Sequence, residues 1–531
     1  MTGQKAGVDM SLFIGVDIGT SSSKGVLVNG SGEVLSQAVR SHEVSRPHPG
    51  WVEMGADIWW EECVAIMSEL VAAAPGPVDA VGVSGMGPCV LVTDQRMTPL
   101  RPAILYGVDT RATAQIEALD AELGRDEVLA RCGSALSTQA VGPKLEWIAE
   151  HEPEVFRRAR RFFMPSSWLA YCLTGAYLLD HQSASQATPL YDTHARDWYA
   201  PWAERIAPEI EQPPLKWATE VAGTVHEEAA ARTGLAVGTP VITGTIDAWS
   251  EAISVDAHNV GDLMLMYGTT MFMVNTVAVP LTHPALWGTV GALPDTRNLA
   301  AGMATSGAIT SWLRDLFGRP DYVELLRLAD ESGPGARGLL CLPYFAGERT
   351  PVADPDARGI FAGLTVSHTR GDLYRAALES TAMGVRHNIE TFRAAGGQID
   401  RVVAVGGGAQ GDLWTQIVSD VTGVEQVIPA QTIGASYGAA FLAAASVLDV
   451  AIGTWNPTAR ICRPNPQTRD NYEELYGLYR ALYPATRDIS HTLARRQREL
   501  SAGAAQGAAA GTTAGNTHST DTQNTVNEAT S

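Results

Sequence analysis

The chain has 531 residues, too many for one hydrophobic core, and this length predicts about three domains. Its 45% hydrophobic and 18% charged residues are typical of a folded globular protein and exclude the disordered and fibrous classes. The 58 acidic and 38 basic residues give a net charge of −20, which argues against a nucleic-acid partner. The arginine-rich run at 157–161 is interpreted as a solvated helix face.

The cysteines and the apolar stretches indicate the compartment. The six cysteines include no CxxC pair, so the sequence predicts neither a zinc site nor a disulfide framework. Residues 1–10 contain no apolar core of signal-peptide length, and no run of about 18 uncharged apolar residues occurs in the chain. We therefore expect a cytoplasmic protein without a membrane partner.

The C-terminal segment 501–531 differs in composition from the rest of the chain. It consists mainly of small and polar residues, and Val526 is its only large apolar residue. Such a segment cannot bury enough apolar surface to offset the entropy lost on ordering. It is predicted to be a disordered tail.

Two parts of the remaining chain share a pattern. Residues 12–39 and residues 241–275 both contain short apolar runs broken by Gly, Ser and Thr turns, which is typical of hairpin strands. Helical patterns follow in both parts. The repeat predicts an α/β fold in which an N-terminal domain, 10–252, and a C-terminal domain, 253–495, face each other across a cleft.

The first chemical motif is DIGTSSSK at residues 17–24. Gly19 allows the backbone to turn tightly near a ligand, and the following N–H groups and hydroxyls are the donors that a polyphosphate needs. Asp17, at the end of a predicted strand, is suited to hold a hydrated Mg²⁺. An ordinary hairpin turn is the alternative interpretation.

The second motif is GTIDA at residues 244–248. Asp247 follows an apolar strand and a glycine turn, so its carboxylate is expected to point into a cleft. There it can accept the proton of a hydroxyl that attacks phosphorus. The alternative is a helix N-cap, which Asp also favours in front of an apolar helix.

Two further glycine-rich turns lie in the second half. One is Gly268-Thr269-Thr270, and the other is the strand and turn VVAVGGGAQ at 402–410. The second lacks the GxGxxG spacing of dinucleotide-binding proteins, which disfavours a Rossmann dehydrogenase, and the chain contains no GxxxxGK[ST] motif. A bound nucleotide would therefore be held by turns from both halves.

The combination resembles the FGGY carbohydrate kinases, within the actin-like ATPase superfamily, from about Phe13 to Arg480. DIGTSSSKGVLV is similar to the family's first phosphate loop, GTIDA to its second, and VAVGGGAQGDLWTQIVSD to its adenosine segment. PGWVEM, KLEWIAEH, and GIFAGL followed by DLYRAALE resemble further family signatures.

The resemblance implies two ribonuclease-H-like (actin-like ATPase) α/β domains that close on a central cleft, and an ATP-dependent kinase acting on a small sugar or polyol. Asp247 corresponds to the family's general base, and Asp17 to the residue near the Mg²⁺ and the phosphates. The implied ATP- and phosphate-binding residues are Asp17, Gly19, Thr20, Ser21, Ser22, Lys24, Gly268, Thr269, Gly307, Gly407, Gly408 and Gln410.

The substrate side resembles the xylulokinases within the family, through SGMGPCVLVTD and ILYGVDTRA. The implied substrate-binding residues are Met86, Gly87, Tyr106, Asp109, Arg111 and Asp247. Asp109 is suited to bind two vicinal hydroxyls, and a surface ion pair with Arg111 is the alternative.

Two departures from the xylulokinase pattern bear on the acceptor. Gly87 stands where those enzymes have His, and Ala248 where they have Asn, so both remove hydrogen-bonding groups from the expected sugar site. A ketopentose such as xylulose is the expected acceptor, and a pentitol, a tetritol, a deoxy-sugar or another ketose stays open.

A non-catalytic actin-like regulator or scaffold that binds a nucleotide is the competing hypothesis. Asp17 and Asp247 are both present, which favours the kinase. Family habit makes a homodimer the expected assembly.

Overall fold

The computed structural model describes residues 10–513, which form two α/β halves. The strands of the first half are β1 (Leu12–Ile18), β2 (Ser22–Asn29), β3 (Val34–Ser41), β4 (Glu53–Met54), β5 (Ala80–Gly85), β6 (Leu91–Thr93), β7 (Ala103–Ile104), β8 (Arg161–Phe163), β9 (Leu179–Asp180), β10 (Tyr191–Asp192), β11 (Asp197–Trp198), β12 (Leu215–Lys216), β13 (Val221–Thr224), β14 (Pro240–Ile242) and β15 (Thr245–Ile246). Its helices are α1 (Ala56–Ala73), α2 (Thr113–Leu123), α3 (Arg125–Cys132), α4 (Val141–His151), α5 (Pro153–Arg158), α6 (Pro165–Thr174), α7 (His181–Ser185), α8 (Ala200–Ile206), α9 (Glu227–Thr233) and α10 (Asp247–Ser254).

The second half follows directly after α10, so the predicted boundary between residues 252 and 253 falls inside that helix. The strands of this half are β16 (Asp262–Tyr267), β17 (Met271–Val277), β18 (Trp287–Val290), β19 (Arg297–Met303), β20 (Leu340–Leu342), β21 (Ile360–Ala362), β22 (Arg401–Val405), β23 (Gln426–Pro429) and β24 (Thr458–Cys462). Its α-helices are α11 (Gly307–Leu316), α12 (Tyr322–Ser332), α13 (Arg370–Ala394), α14 (Asp412–Thr422), α15 (Ala435–Ala445), α16 (Ile452–Trp455) and α17 (Arg469–Thr513), with 3₁₀ turns at Ala336–Gly338, Gly407–Gln410 and Pro466–Thr468.

The two large sheets share the topology of five strands, which are β14-β5-β1-β2-β3 in the first sheet and β23-β22-β16-β17-β19 in the second. The first has the order β13-β14-β5-β1-β2-β3, with β15 also on β5, and the second has the order β24-β23-β22-β16-β17-β19-β18. In each sheet two parallel pairings, β14-β5-β1 and β23-β22-β16, are flanked by antiparallel strands. The repeat suggested by the sequence is therefore a repeat of topology, and the two-domain actin-like fold is confirmed.

This topology decides where the motifs lie. Parallel neighbours end at the same edge of a sheet, and ligands bind outside those carboxyl ends. Asp17 lies near the end of β1, Gly87 just after β5, and Asp247 just after β15, which runs parallel to β5. In the second sheet, Gly268 follows β16 and Gly407 follows β22, which are also parallel. Each edge thus collects segments that are far apart in sequence.

Helix α15, from the second half, packs on the first sheet and on α10. Small residues permit this approach: a Cβ on Gly15 would lie 1.9 Å from Ser436 O, and a Cβ on Gly438 would lie 1.9 Å from Ser250 O. Ser250 Oγ also donates to Ala435 O at 2.8 Å. The helix that begins with Asp247 is therefore held against an element of the other half.

The halves meet again at a second place, which we call the cleft latch: Gly133, Ser134 and Ser185 against Gly288 and Val290. Gly288 N donates to Gly133 O at 2.9 Å, and Ser134 Oγ donates to Gly288 O at 3.0 Å. Val290 N donates to Ser185 Oγ at 3.1 Å. The latch uses backbone groups of β18, the edge strand of the second sheet.

The C-terminal segment differs in part from the sequence prediction. Residues 501–513, predicted to belong to a disordered tail, continue α17. The alanine-rich composition explains this, because alanine has the highest helix propensity. Residues 514–531 lie outside the described part of the chain.

Neither a disulfide nor a membrane-spanning helix occurs among residues 10–513. All six cysteines are free thiols, and all except the half-buried Cys172 are buried. Within residues 10–513, no helix combines the length and the apolar character that a membrane crossing requires.

Candidate active site

A cavity of about 330 Å³ lies between the two halves. Five of the residues predicted from sequence line it: Asp17, Lys24, Gly87, Tyr106 and Asp247. They come from β1, β2, the turns after β5 and β7, and the start of α10, so the topology described above brings them together.

Asp247 is the first residue of α10 and faces this cavity. Its Oδ1 accepts a hydrogen bond from the N–H of its neighbour Ala248 at 2.7 Å, while Ile246 takes the N-cap position. The helix-cap alternative is therefore not realised. Burial raises the pKa of Asp247 to about 6, so the carboxyl is ionised at neutral pH yet basic enough to accept a proton.

Asp17 supplies a second carboxyl to the cavity. Burial, followed by the charge of Asp247, raises the pKa of Asp17 to about 8. Its Oδ1 is buried and has no hydrogen-bond partner among the described residues. A divalent cation or a water bound to one would satisfy this oxygen and offset the repulsion, so the residues present fit Mg²⁺.

Glu251 is a third carboxyl in the cavity, and sequence reasoning missed it. It lies one helical turn after Asp247, and this spacing on one helix face was the available signal. Burial, followed by the charge of Asp247, raises the pKa of Glu251 to about 7. In the described part of the chain, no three acidic, His or Cys side chains form a group that could hold a metal ion directly.

Polar side chains outside the loop between β1 and β2 hold it in place through hydrogen bonds. His42 Nε2 lies 3.0 Å from Gly19 O, and His42 Nδ1 lies 2.8 Å from Glu62 Oε2. Ser23 Oγ donates to the same carboxylate oxygen at 2.6 Å. Both ring nitrogens of His42 thus face oxygen atoms, one on Glu62 and one on Gly19. His42 and Glu62 thus contact both ends of the loop, at Gly19 and Ser23, and neither His42 nor Glu62 was predicted from the sequence.

The same loop contacts the predicted substrate wall. Thr20 Oγ1 lies 2.7 Å from Tyr106 Oη and 3.7 Å from Met86 Sδ. Ser21 and Ser22 complete the turn, in which Gly19 N donates to Ser22 O at 3.1 Å. The residues predicted to bind phosphate and those predicted to bind the acceptor are therefore in direct contact.

A second cavity, of about 440 Å³, lies in the C-terminal half. Five predicted residues line it: Gly268, Thr269, Gly307, Gly407 and Gly408. The turns touch closely, since Gly307 N donates to Gly268 O at 3.0 Å and a Cβ on Gly307 would lie 2.7 Å from that oxygen. Tyr267 and Trp414 add aromatic walls.

Gln410 lies at the end of the same 3₁₀ turn, but it is not among the lining residues. Its Nε2 donates to Thr432 Oγ1 at 2.9 Å. The second cavity otherwise contains the glycine-rich turns expected to hold a nucleotide.

Asp109 and Arg111 are not brought to the cavity. Asp109 Oδ2 accepts from Val52 N at 2.6 Å and from Arg111 Nη2 at 2.7 Å, and both side chains are fully buried. Arg111 also contacts Glu53 at 2.6 Å and lies over the Trp51 ring. This is an ion pair, as the alternative interpretation had it, but a buried one. Met86 is likewise buried and does not line the cavity.

Several lining residues carry no local sequence signal. Arg349 faces the cavity, its Nη2 donates to Met303 O at 3.0 Å, and it has no carboxylate within ion-pair distance among the described residues. Burial lowers the pKa of this guanidinium. Together with Lys24 it gives the cavity positive charge suited to phosphate.

Comparisons with known proteins agree with this geometry. The model of the FGGY family of carbohydrate kinases, N-terminal domain, matches residues 12–254, and that of the C-terminal domain matches residues 263–447. The xylulose kinase of Escherichia coli K12 is 31% identical over 439 residues, covering 81% of this chain and 89% of that protein.

Other relatives are equally similar. The glycerol kinase of Nocardia farcinica is 32% identical over 468 residues, covering 83% of this chain and 90% of that protein. The crystal structure of xylulose kinase from Rhodospirillum rubrum has a TM-score of 0.85 and 32% identity, covering 90% of this chain and all of that one.

Both family models, the two-domain fold and the two cavities point to the same family. The chain therefore belongs to the FGGY family of carbohydrate kinases, enzymes that transfer phosphate from ATP to an alcohol group of a small carbohydrate.

Proposed function

We propose that this carbohydrate kinase phosphorylates a ketopentose such as xylulose, with Asp247 as the general base. The observation that carries the proposal is the position of Asp247. Its carboxylate opens into the cavity that Asp17 and Lys24 also line, next to the turns that would hold the phosphates. The xylulose kinases among the relatives support a ketopentose as acceptor.

In the proposed reaction, an acceptor hydroxyl lies between Asp247 and the γ-phosphate. Asp247 takes the hydroxyl proton as the oxygen attacks phosphorus, and ADP leaves. Lys24 and Arg349 offset charge on the phosphoryl oxygens. The latch and α15 join the halves around the cavity, which keeps water from competing with the hydroxyl.

The nucleotide would span both cavities, with its phosphates near Thr20 and Thr269 and its adenosine near Gly407 and Gly408. Mg²⁺ would be held by Asp17 through water, and when bound it neutralises charge on the phosphates. The cytoplasmic location and the homodimer expected from the sequence belong to this proposal; the location rests on the cysteine pattern and the apolar stretches of the sequence, and the homodimer on family habit.

The test is ADP release measured with ketopentoses, pentitols, tetritols and glycerol, for wild type and Asp247→Asn. We expect acceptor-dependent turnover that falls at least about a hundredfold in Asp247→Asn, the scale of losing a general base. Glycerol is included because a glycerol kinase is as similar to this chain as the xylulose kinases are.

Asp295→Asn is the matched control, because that side chain is 92% exposed and lies outside both cavities. It should keep wild-type turnover. Undiminished turnover in Asp247→Asn would remove that residue from its role. A wild type that releases ADP with none of these acceptors would contradict the ketopentose assignment.

A further inference from the structure

A third cavity, of about 210 Å³, lies in the C-terminal half. It is enclosed by helix α13, helix α17 and the loop between β20 and β21. Among residues 10–513, it shares no lining residue with the two cavities described above. It is therefore separate from the positions proposed for the acceptor and the nucleotide.

Two polar groups in the lining of this third cavity lack a partner. His387 Nδ1 is buried and has no hydrogen-bond partner among the described residues. The hydroxyls of Tyr344 and Tyr479, both buried, lie 3.1 Å apart. One of them donates to the other, so the second proton has no acceptor in the described part of the chain. Buried polar groups without partners are costly, so the cavity is suited to a ligand that accepts hydrogen bonds.

Arg480 gives the third cavity positive charge. Its Nη1 contacts Glu390 Oε2 at 3.1 Å and Tyr476 Oη at 3.2 Å, and its side chain is 45% exposed. No acidic side chain of the described residues lines the cavity. Burial, followed by the charge of Arg480, lowers the pKa of His387 to about 4, so the imidazole is neutral at pH 7 and donates from one nitrogen. A carboxylate accepts from both kinds of donor.

The rest of the lining is ring and aliphatic surface. Tyr344 and Tyr483 meet edge-on with ring centroids 5.5 Å apart, and Tyr483 Oη donates to Asp354 Oδ2 at 2.5 Å. The wall is completed by Pro351, Val352 and Pro484. Aromatic side chains pack favourably on another ring, and the volume suits a ligand of a single ring.

The loop on one side of the third cavity also carries Arg349, which lines the first cavity. Thr350, the next residue, is held by α13. Thr350 Oγ1 donates to Asn388 Oδ1 at 2.7 Å, and Asn388 Nδ2 donates to Thr350 O at 3.1 Å. Asn388 directly follows His387, and Val352 is three residues after Arg349. A ligand that contacts His387 and Val352 therefore lies against both segments that position Arg349.

We propose that the third cavity is an effector site for a small aromatic carboxylate. The carboxylate would accept from His387 and pair with Arg480, and the ring would lie among the tyrosines and prolines. A ligand stabilises the conformation that it binds, and in this conformation Arg349 lies in the first cavity. Because Arg349 is positively charged, occupation of the third cavity should strengthen the binding of ATP. The inference does not depend on which acceptor the enzyme uses.

Benzoate is the probe, and benzamide, which has the same ring without the charge, is its matched control. Calorimetry measures the Kd of each, and the Kd of the non-hydrolysable ATP analogue adenylyl imidodiphosphate, in Mg²⁺, with and without benzoate. We expect benzoate to bind at least about tenfold more tightly than benzamide, because its hydrogen bonds are charge-assisted. Benzoate should lower the Kd of the analogue at least about fivefold, and the analogue should lower the Kd of benzoate by the same factor.

Two variants locate the binding. Arg480→Gln removes the charge and Val352→Phe fills the cavity, so each should weaken benzoate binding at least about tenfold. Arg327→Gln is the matched control for Arg480→Gln, because Arg327 is a helical arginine, 58% exposed, that pairs with Glu331 outside all three cavities. Melting temperatures show that each variant is folded.

Three results would overturn the inference. The first is absence of benzoate binding, or benzamide that binds as tightly. The second is equal benzoate binding by the wild type, Arg480→Gln and Val352→Phe, which would place benzoate elsewhere. The third is benzoate that binds and leaves the Kd of the ATP analogue unchanged or raised. None of these measurements uses a sugar acceptor, so failure of the proposed function would be a separate result.

Discussion

Asp17 destabilises the ligand-free protein at high pH. Its pKa is raised from 3.8 to about 8, first by burial and then by Asp247, so the folded state keeps a proton that the unfolded chain has released. Stability should therefore be greatest below pH 3.8 as far as this group is concerned, and it should fall as pH rises towards 8. The buried carboxylate that would hold the cation thus lowers the stability of the ligand-free protein.

The variant Asp17→Asn should be more stable than wild type at pH 8 by about 1 kcal/mol or more, because each unit of pKa shift corresponds to about 1.4 kcal/mol. The gain should shrink at pH 5, where the wild-type carboxyl is protonated. The midpoints of urea unfolding at both pH values, measured with a metal chelator present, report this difference in stability. Asp295→Asn should show no such gain, and an equal gain at both pH values would contradict the assignment.

Single residues also show how far sequence reasoning extends. Asp17 and Asp247 were found because a strand, a glycine turn and a carboxylate lie next to each other in the chain. Asp109 has a similar appearance, yet its carboxylate accepts from Val52 N, 57 residues away in the chain, a contact that no local pattern encodes. Arg349 also lies in the second half of the chain, and only the packing of the two halves brings it to the cavity.

At the level of elements, the crossing of α10 and α15 links Asp247, the proposed general base, to the other domain. Gly438 lies where the helices touch, and any side chain there meets Ser250 O. Moving α10 moves Asp247, and about 1 Å of misplacement in an active site can cost about a hundredfold in rate.

Gly438→Ala should therefore lower kcat by about tenfold to a hundredfold and also lower the melting temperature. Gly477→Ala is the matched control, a helical glycine in α17 whose Cβ would meet nothing within 4 Å. Alanine there should be neutral or stabilise the protein by up to about 1 kcal/mol. Equal kinetics in the two variants would show that the helix crossing does not position the base.

The strands and turns themselves were easier to predict than the contacts that each of them makes with distant parts of the chain. The turns after β1, β14, β16 and β22 are visible as glycine-containing breaks after apolar runs. The aromatic lining of the first cavity is not visible in this way, because Phe272 and Trp287 lie on β17 and β18, which face the first half only after both sheets have formed and met. The contacts that close the cleft join residues far apart in the sequence, so no local sequence pattern predicts them.

For the whole molecule, the cleft latch should decide how well transfer is coupled to the acceptor. Ser134→Ala removes the Ser134–Gly288 hydrogen bond, a loss of about 1 kcal/mol that weakens the closed state. We expect ADP release without acceptor to rise about threefold to fivefold, because water reaches the phosphate more often.

Steady-state ADP release with and without acceptor measures this coupling. Ser446→Ala is the control, because Ser446 Oγ donates within its own helix end, to Ala443 O at 2.7 Å. An unchanged ratio of the two rates in Ser134→Ala would mean that the latch does not govern water access.

The latch has a further consequence, for solubility. Gly288 and Val290 belong to an edge strand, and an unpaired edge is a template on which another chain can add a strand. While the latch is formed, the first half occupies that edge. Each opening of the cleft uncovers it, so the substrates that favour closure would also protect the folded enzyme from self-association.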